Sequence, residues 1–94
     1  MITPHVEQIL ISILKKHEAS SIGIFGSHVR GEERYDSDLD VLVDFHNAKS
    51  LLNLVSIERE LSEALGIRVD LLTKGAISPH LIDRIKAELK VVYQ

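Results

Sequence analysis

The sequence predicts an α/β fold, one small mixed β-sheet with helices packed on one face, as a single domain over residues 1–94. Three observations predict it. Segments with helical spacing of apolar residues alternate with short segments of strand-like alternation, in the order α-β-(short α)-β-α-β-α. The two prolines and five glycines sit near the ends of those segments. Ninety-four residues supply one modest core and little more.

Each element has its own local signal. Thr3-Pro4 reads as an N-cap followed by proline at the first helical position, and Val6, Ile9, Leu10, Ile13 and Leu14 then repeat at helical spacing until Lys15 to His17. Ser21 to Phe25 is a short apolar strand stopped by Gly26-Ser27, after which the polar run from Ser27 to Tyr35 makes a short helix or turn. Asp38 to Phe45 alternates: Leu39, Val41, Val43 and Phe45 share one face, and Asp38, Asp40, Leu42 and Asp44 the other. Ser50 caps a second long helix carrying Leu51, Leu54, Val55, Leu61 and Leu65, with Gly66 as its stop. Ile67 to Thr73 is a third strand in which Asp70 faces opposite to Val69 and Leu71. Ser78-Pro79 repeats the cap-plus-proline start, and Leu81, Ile82, Ile85 and Leu89 form the apolar stripe of a last helix. The leucines of the long helices are assigned to the core, with a few exposed ones left for a partner interface.

Composition removes several function classes. There is no cysteine, so disulfides, thiolate zinc sites and cysteine nucleophiles are absent together. No stretch approaches the ~20 apolar residues of a membrane span, and no secretory leader pattern opens the chain. The expectation is a complete, cytoplasmic protein without a membrane partner. The net charge of −3 is spread without a basic stripe, which argues against polymeric nucleic acid as a direct partner. No glycine-rich loop ends in Gly-Lys-Ser/Thr, which excludes a P-loop NTPase.

The chemistry concentrates in Gly26-Ser27-His28-Val29-Arg30-Gly31 and Asp36-Ser37-Asp38-Leu39-Asp40. Asp38 and Asp40 lie two apart on a strand, so both project from one face about 6–7 Å apart along the chain. Carboxylates held that way repel each other unless a cation lies between them. Their hard oxygens suit Mg²⁺ or Mn²⁺ together with substrate phosphates. Asp70 is a third strand acid, and three such carboxylates can hold two metal ions. Gly26 lets the backbone turn sharply and approach a ligand, and the helix opening at Ser27 offers N–H groups to an anionic phosphate. Arg30, one turn on, reaches phosphate or caps the local structure, and its plainer reading is a structural pair with one of the nearby acids.

Gly26-Ser27, ten intervening residues and then Asp38-Leu39-Asp40 resemble the signature of the polymerase-beta-like nucleotidyltransferase superfamily. The nearest resemblance is to its minimal nucleotidyltransferase (MNT) members, the antitoxin halves of HEPN/MNT toxin–antitoxin pairs. Val69-Asp70-Leu71-Leu72-Thr73 is similar to the third-carboxylate strand of that family, and Ile85, Glu88 and Val92-Tyr93 to its last helix. Val29 departs from the smaller residue many relatives carry, which bears on packing behind the loop.

The resemblance implies that Asp38 and Asp40 bind metal and triphosphate, that Asp70 activates the acceptor hydroxyl, and that Gly26 and Ser27 cradle the phosphates. It implies a polymerase-beta-like fold, Mg²⁺ as cofactor (two ions, with Mn²⁺ as a substitute), ATP as donor, and a cognate HEPN toxin as partner in a hetero-oligomer. Transfer of AMP to a tyrosine hydroxyl of that ribonuclease toxin would silence it. Because the chain ends at Gln94, the partner is expected to supply the acceptor and part of the site. The alternative is a non-catalytic antitoxin that blocks the toxin by binding; a transferase acting on a small molecule or an RNA end is a third, weaker reading.

Other polar residues have plainer readings. Asp44 is assigned to solvent, Asp36 to the shape of its turn, and Glu32, Glu33 and Arg34 to a solvated helix face. His5, His17, His46 and His80 are isolated surface residues without zinc-ligand spacing, His28 is placed inside the loop without a nucleotide role, and Tyr93 is a packing residue.

Overall fold

The computed structural model describes residues 3–32 and 38–94, so the expectations for Glu33, Arg34 and Asp36 lie outside the described residues. Helix α1 (Pro4–Lys16) starts where its cap was expected: the Thr3 hydroxyl accepts from the Val6 N–H at 3.2 Å. Strand β1 (Ala19–Phe25) runs into the short helix α2 (Ser27–Arg30), and β2 (Leu39–Phe45) follows. Helix α3 (Leu51–Leu65) opens on a capping box between Ser50 and Asn53 and stops at Gly66, whose φ of 70° is the left-handed cap conformation. Strand β3 (Val69–Thr73), a 3₁₀ turn over Lys74–Ala76, helix α4 (Pro79–Glu88) and strand β4 (Lys90–Tyr93) complete the chain.

The sheet order is β3-β2-β1-β4, with β1 antiparallel to both β2 and β4, and β2 parallel to β3. It is therefore a mixed sheet, and α3 is the crossover that a parallel pair requires. Ile22, Ile24, Leu39, Val41, Val43, Val69 and Leu71 point to one face and are buried there against Leu10 and Leu14 of α1 and Ile57 and Leu61 of α3. The predicted alternation of β2 holds, because the same strand must be apolar toward the helices and free for other work on its far side.

Strand β3 is an edge, and two of its outward N–H groups are satisfied by α3. The Val69 N–H donates to the Ser62 hydroxyl at 3.0 Å, and the Leu71 N–H to Glu58 Oε2 at 2.9 Å. These bonds blunt the edge and fix β3 beside β2.

The structure corrects the sequence reading in four places. The last helix ends at Glu88; Leu89 leaves it in an extended conformation, and Lys90–Tyr93 pair with β1 as a fourth strand. Leu89 belongs to the sheet side: a Cβ on Gly23 would lie 2.6 Å from its Cδ1, so the glycine makes the room it occupies. Second, the apolar stripe of α3 is Leu54, Ile57, Leu61 and Leu65, whereas Leu51 (77% exposed) and Val55 (54% exposed) face solvent. Third, α4 has no buried residue and its Leu81 is half exposed. Fourth, two residues assigned to solvent or isolation have partners: Asp44 accepts from Ser21 at 3.2 Å and pairs with Lys74 at 2.9 Å, and His17 contacts Glu60 at 2.8 Å. Tyr93 packs partly buried against the core, as expected.

Candidate active site

The three predicted acids lie at one end of the sheet. In the parallel β2–β3 pair, Asp40 is in register with Asp70, so the two sit on adjacent strands about 4.8 Å apart at the backbone. Both project away from the helix-covered face, because their neighbours Leu39, Val41, Val69 and Leu71 are buried toward it. Asp38 directly precedes β2, and the Leu39 N–H donates to the Arg68 carbonyl at 2.8 Å, which carries the pairing up to that residue.

The crowding has an electrostatic signature. The Asp40 carboxyl is pushed above its ordinary value, first by burial and then by the negative charges of Asp70 and Asp38; His28 and Arg30 offset part of this. Two like-charged neighbours and a half-buried position make the ionised form costly. A cation is the natural relief.

The Gly26 loop closes over this group. Gly26 is buried with φ 84° and ψ −156°, a conformation open essentially to glycine. A Cβ there would lie 2.1 Å from Asp40 Oδ2, so the missing side chain is also what lets the carboxylate sit against the loop. Its carbonyl accepts from the Val29 and Arg30 N–H groups, each at 3.1 Å, which starts α2 with Ser27 at its first position. Val29 packs partly buried against the core beneath the loop.

Arg30, which the sequence offers both as a phosphate contact and as the partner of a nearby acid, is paired within the protein. Its Nη1 donates to both oxygens of Glu88 at 3.1 Å, and its Nε to Glu32 at 2.6 Å. Glu88 also accepts from the Gly26 N–H at 3.0 Å. Arg30 and Gly26 hold the Glu88 carboxyl below its ordinary value, more than burial raises it. Sequence reasoning missed this contact; Glu88 entered it only as part of a helix pattern.

The donor chemistry of Asp38, Asp40 and Asp70 fits a hard divalent cation: three carboxylates, one of them with its charge disfavoured by burial and then by the other two. Among the described residues, no three acidic or histidine side chains already stand as a closed cation cage. An ion would have to gather the carboxylates by side-chain rotation.

The nucleotidyltransferase domain family matches residues 6–92, nearly the whole chain. The chain belongs to that family. Among sequence relatives of this nucleotidyltransferase domain, a Methanocaldococcus jannaschii protein provisionally named a protein adenylyltransferase is 47% identical over 83 residues, 88% of this chain and 89% of its own. The protein adenylyltransferase MntA of Thermococcus cleftensis is 46% identical over 72 residues, 77% of this chain and 71% of its own. In structure, the domain is similar to the complex of a tri-AMPylated Shewanella oneidensis HEPN toxin with its MNT antitoxin. That match has a TM-score of 0.78 at 21% identity and covers 95% of this chain and 70% of the other, which establishes a shared fold.

Proposed function

We propose that this domain is an antitoxin protein adenylyltransferase that moves AMP from ATP to a tyrosine hydroxyl of a cognate HEPN ribonuclease toxin and so neutralises it. The observation that carries the reading is the in-register pair Asp40–Asp70, with the Gly26 loop folded onto the Asp40 carboxylate. The names of the relatives support the type of transfer. The Shewanella complex, by its own description, joins an AMPylated HEPN toxin to an MNT antitoxin, which supports the acceptor.

In this reading Asp38 and Asp40 bind the metal-bound triphosphate, and Gly26 and Ser27 place backbone donors against its phosphates. Asp38, Asp40 and Asp70 would hold Mg²⁺, as two ions with Mn²⁺ as a substitute, and the metal would supply neutralisation of the phosphate charge. Asp70 takes the proton of the acceptor hydroxyl. The acceptor oxygen forms a bond to the α-phosphorus while the bond from that phosphorus to the bridging oxygen breaks, and pyrophosphate leaves. Positioning and charge neutralisation do most of the work in such a transfer. Arg30 is assigned to the nucleotide side of the loop, working from its place between Glu32 and Glu88. The exposed Leu51, Leu52 and Val55 suit a protein partner in a hetero-oligomer.

The test is to incubate the protein with its genomic neighbour, Mg²⁺ and ATP labelled at the α-phosphate. Label on a toxin tyrosine is expected. No label from a folded pair sinks the proposal. If the D38N/D40N double variant neutralises the toxin as well as the parent protein, blocking by binding is the better account.

A further inference from the structure

Glu88 lies outside the acid cluster, on the opposite side of β1, and nothing in the transfer chemistry above uses it. In the antiparallel β1–β4 pair, Gly23 is across from Val91 and Ile24 from Lys90. Continuing that register two residues brings Glu88 opposite Gly26. There the ladder has ended, because Glu88 is still the last residue of α4 and β4 begins at Lys90. The Gly26 N–H, which would otherwise face an absent strand, is taken by the Glu88 carboxylate at 3.0 Å. The same carboxylate holds Arg30 through both oxygens, four residues further along the loop. One side chain therefore ties down the beginning and the end of the segment that carries Ser27.

Apart from Val29, which packs partly buried against the core, that segment is short and exposed. Helix α2 spans four residues and buries none of them, and it lies between two glycines in positive-φ conformations, Gly26 and Gly31. Glycine-flanked turns lose more conformational freedom on ordering than other segments. Hydrogen bonds to a charged acceptor are the stronger kind available to offset that loss.

We propose that Glu88 is a positioning residue of the nucleotide site. It substitutes for the missing strand partner of Gly26 and anchors Arg30, so that the loop's backbone donors are already aimed when the triphosphate arrives. This rests on the adenylyltransferase reading. It extends that reading by giving a role to the end of α4, on the far side of β1 from the acids.

The experiment compares the full chain with E88Q and E88A. Amide hydrogen exchange is read over residues 26–31, thermal unfolding over the whole chain, and kcat and KM for Mg²⁺-ATP with labelled transfer to the partner protein. Glutamine keeps an oxygen for the Gly26 N–H but loses the charge that grips Arg30, so E88Q is expected to fall between the parent and E88A. For E88A, exchange over residues 26–31 should accelerate and KM for ATP rise about tenfold or more, the scale of one lost charge-assisted bond. The midpoint of unfolding should fall by only a few degrees. A purely structural tie would lower the active fraction, and with it kcat, leaving KM in place. Parent-like exchange in E88A, or fast exchange with an unchanged KM, overturns the proposal while the parent remains active. An inactive parent overturns the adenylyltransferase reading itself, and this inference with it.

Discussion

Two carboxylates flank the Gly26 loop and live in opposite electrostatic worlds. On the β2 side, Asp40 is crowded by Asp70 and Asp38, and its charge is disfavoured. On the α4 side, Glu88 is answered by Arg30 and the Gly26 N–H, and its charge is favoured. The first arrangement is costly for the fold and makes sense when a cation or a metal-bound phosphate completes it. The second is complete without any ligand. On the proposed function, the contrast separates a group held for chemistry from a group that holds the structure, although both are acids within reach of one backbone loop.

The comparison breaks most sharply at Asp40. Replacing it with asparagine is expected to cut AMP transfer by about 10³-fold, the upper range for losing one group that stabilises developing charge. The fold should not suffer. Removing a charge that its neighbours repel leaves the metal-free protein as stable as before or more stable, read by thermal unfolding in chelator. A D40N protein that unfolds much earlier than its parent would show that Asp40 is a structural residue.

Gly26→Ala ranks next. The added Cβ would have to displace the Asp40 carboxylate, and alanine must also adopt φ 84°. A cost of about 1–3 kcal/mol in stability is expected, with a fall of about 10²-fold in transfer because the carboxylate is moved off the loop. Gly75→Ala is the control. Nothing lies within 4 Å of its Cβ position, so its effect should stay within about 0.5 kcal/mol in chemical denaturation. Equal effects at the two glycines would mean that close approach at Gly26 is not what matters.

The β2 side of the loop was legible in the sequence and the α4 side was not, for physical reasons. Strand periodicity is local, so Leu39, Val41 and Val43 against Asp38 and Asp40 declare both the buried face and the acid face within eight residues. The Gly26-Ser27 stop and the apolar neighbours of Asp70 are equally local. Glu88 becomes a loop partner only through a register set by β4, and β4 is four residues long, continuing from a helix with no glycine or proline between them. Sequence spacing there fits either a last helical turn or a strand, and pairing with β1 decides it. Leu51 and Val55 show the same limit in another form. Helical spacing announces that an apolar stripe exists, but which residues meet the sheet depends on how α3 lies across β2 and β3, and the stripe runs through Leu54, Ile57 and Leu61 instead.

The smallest effect is also the most direct contrast of the two carboxylates, because their pH dependences should have opposite signs. Asp40 has a raised folded value, so its contribution is fully present at low pH and is lost as pH rises from near 4 through that value. In chelator, the parent should therefore lose ground to D40N between about pH 4 and neutrality. Glu88 has a lowered folded value, so its contribution is present at neutral pH and disappears as pH falls below about 4.5. The parent should then exceed E88Q at pH 7 and match it in acid. Both groups are partly solvated, so each difference should be on the order of a few degrees in unfolding midpoint. Saturating Mg²⁺ provides the decisive control: a cation between the carboxylates favours their ionised forms, so the advantage of D40N at neutral pH should vanish while the advantage of the parent over E88Q persists. If Mg²⁺ leaves the D40N comparison untouched, the acids of β2 and β3 are not gathering a cation, and the electrostatic distinction between the two sides of the loop loses its functional meaning.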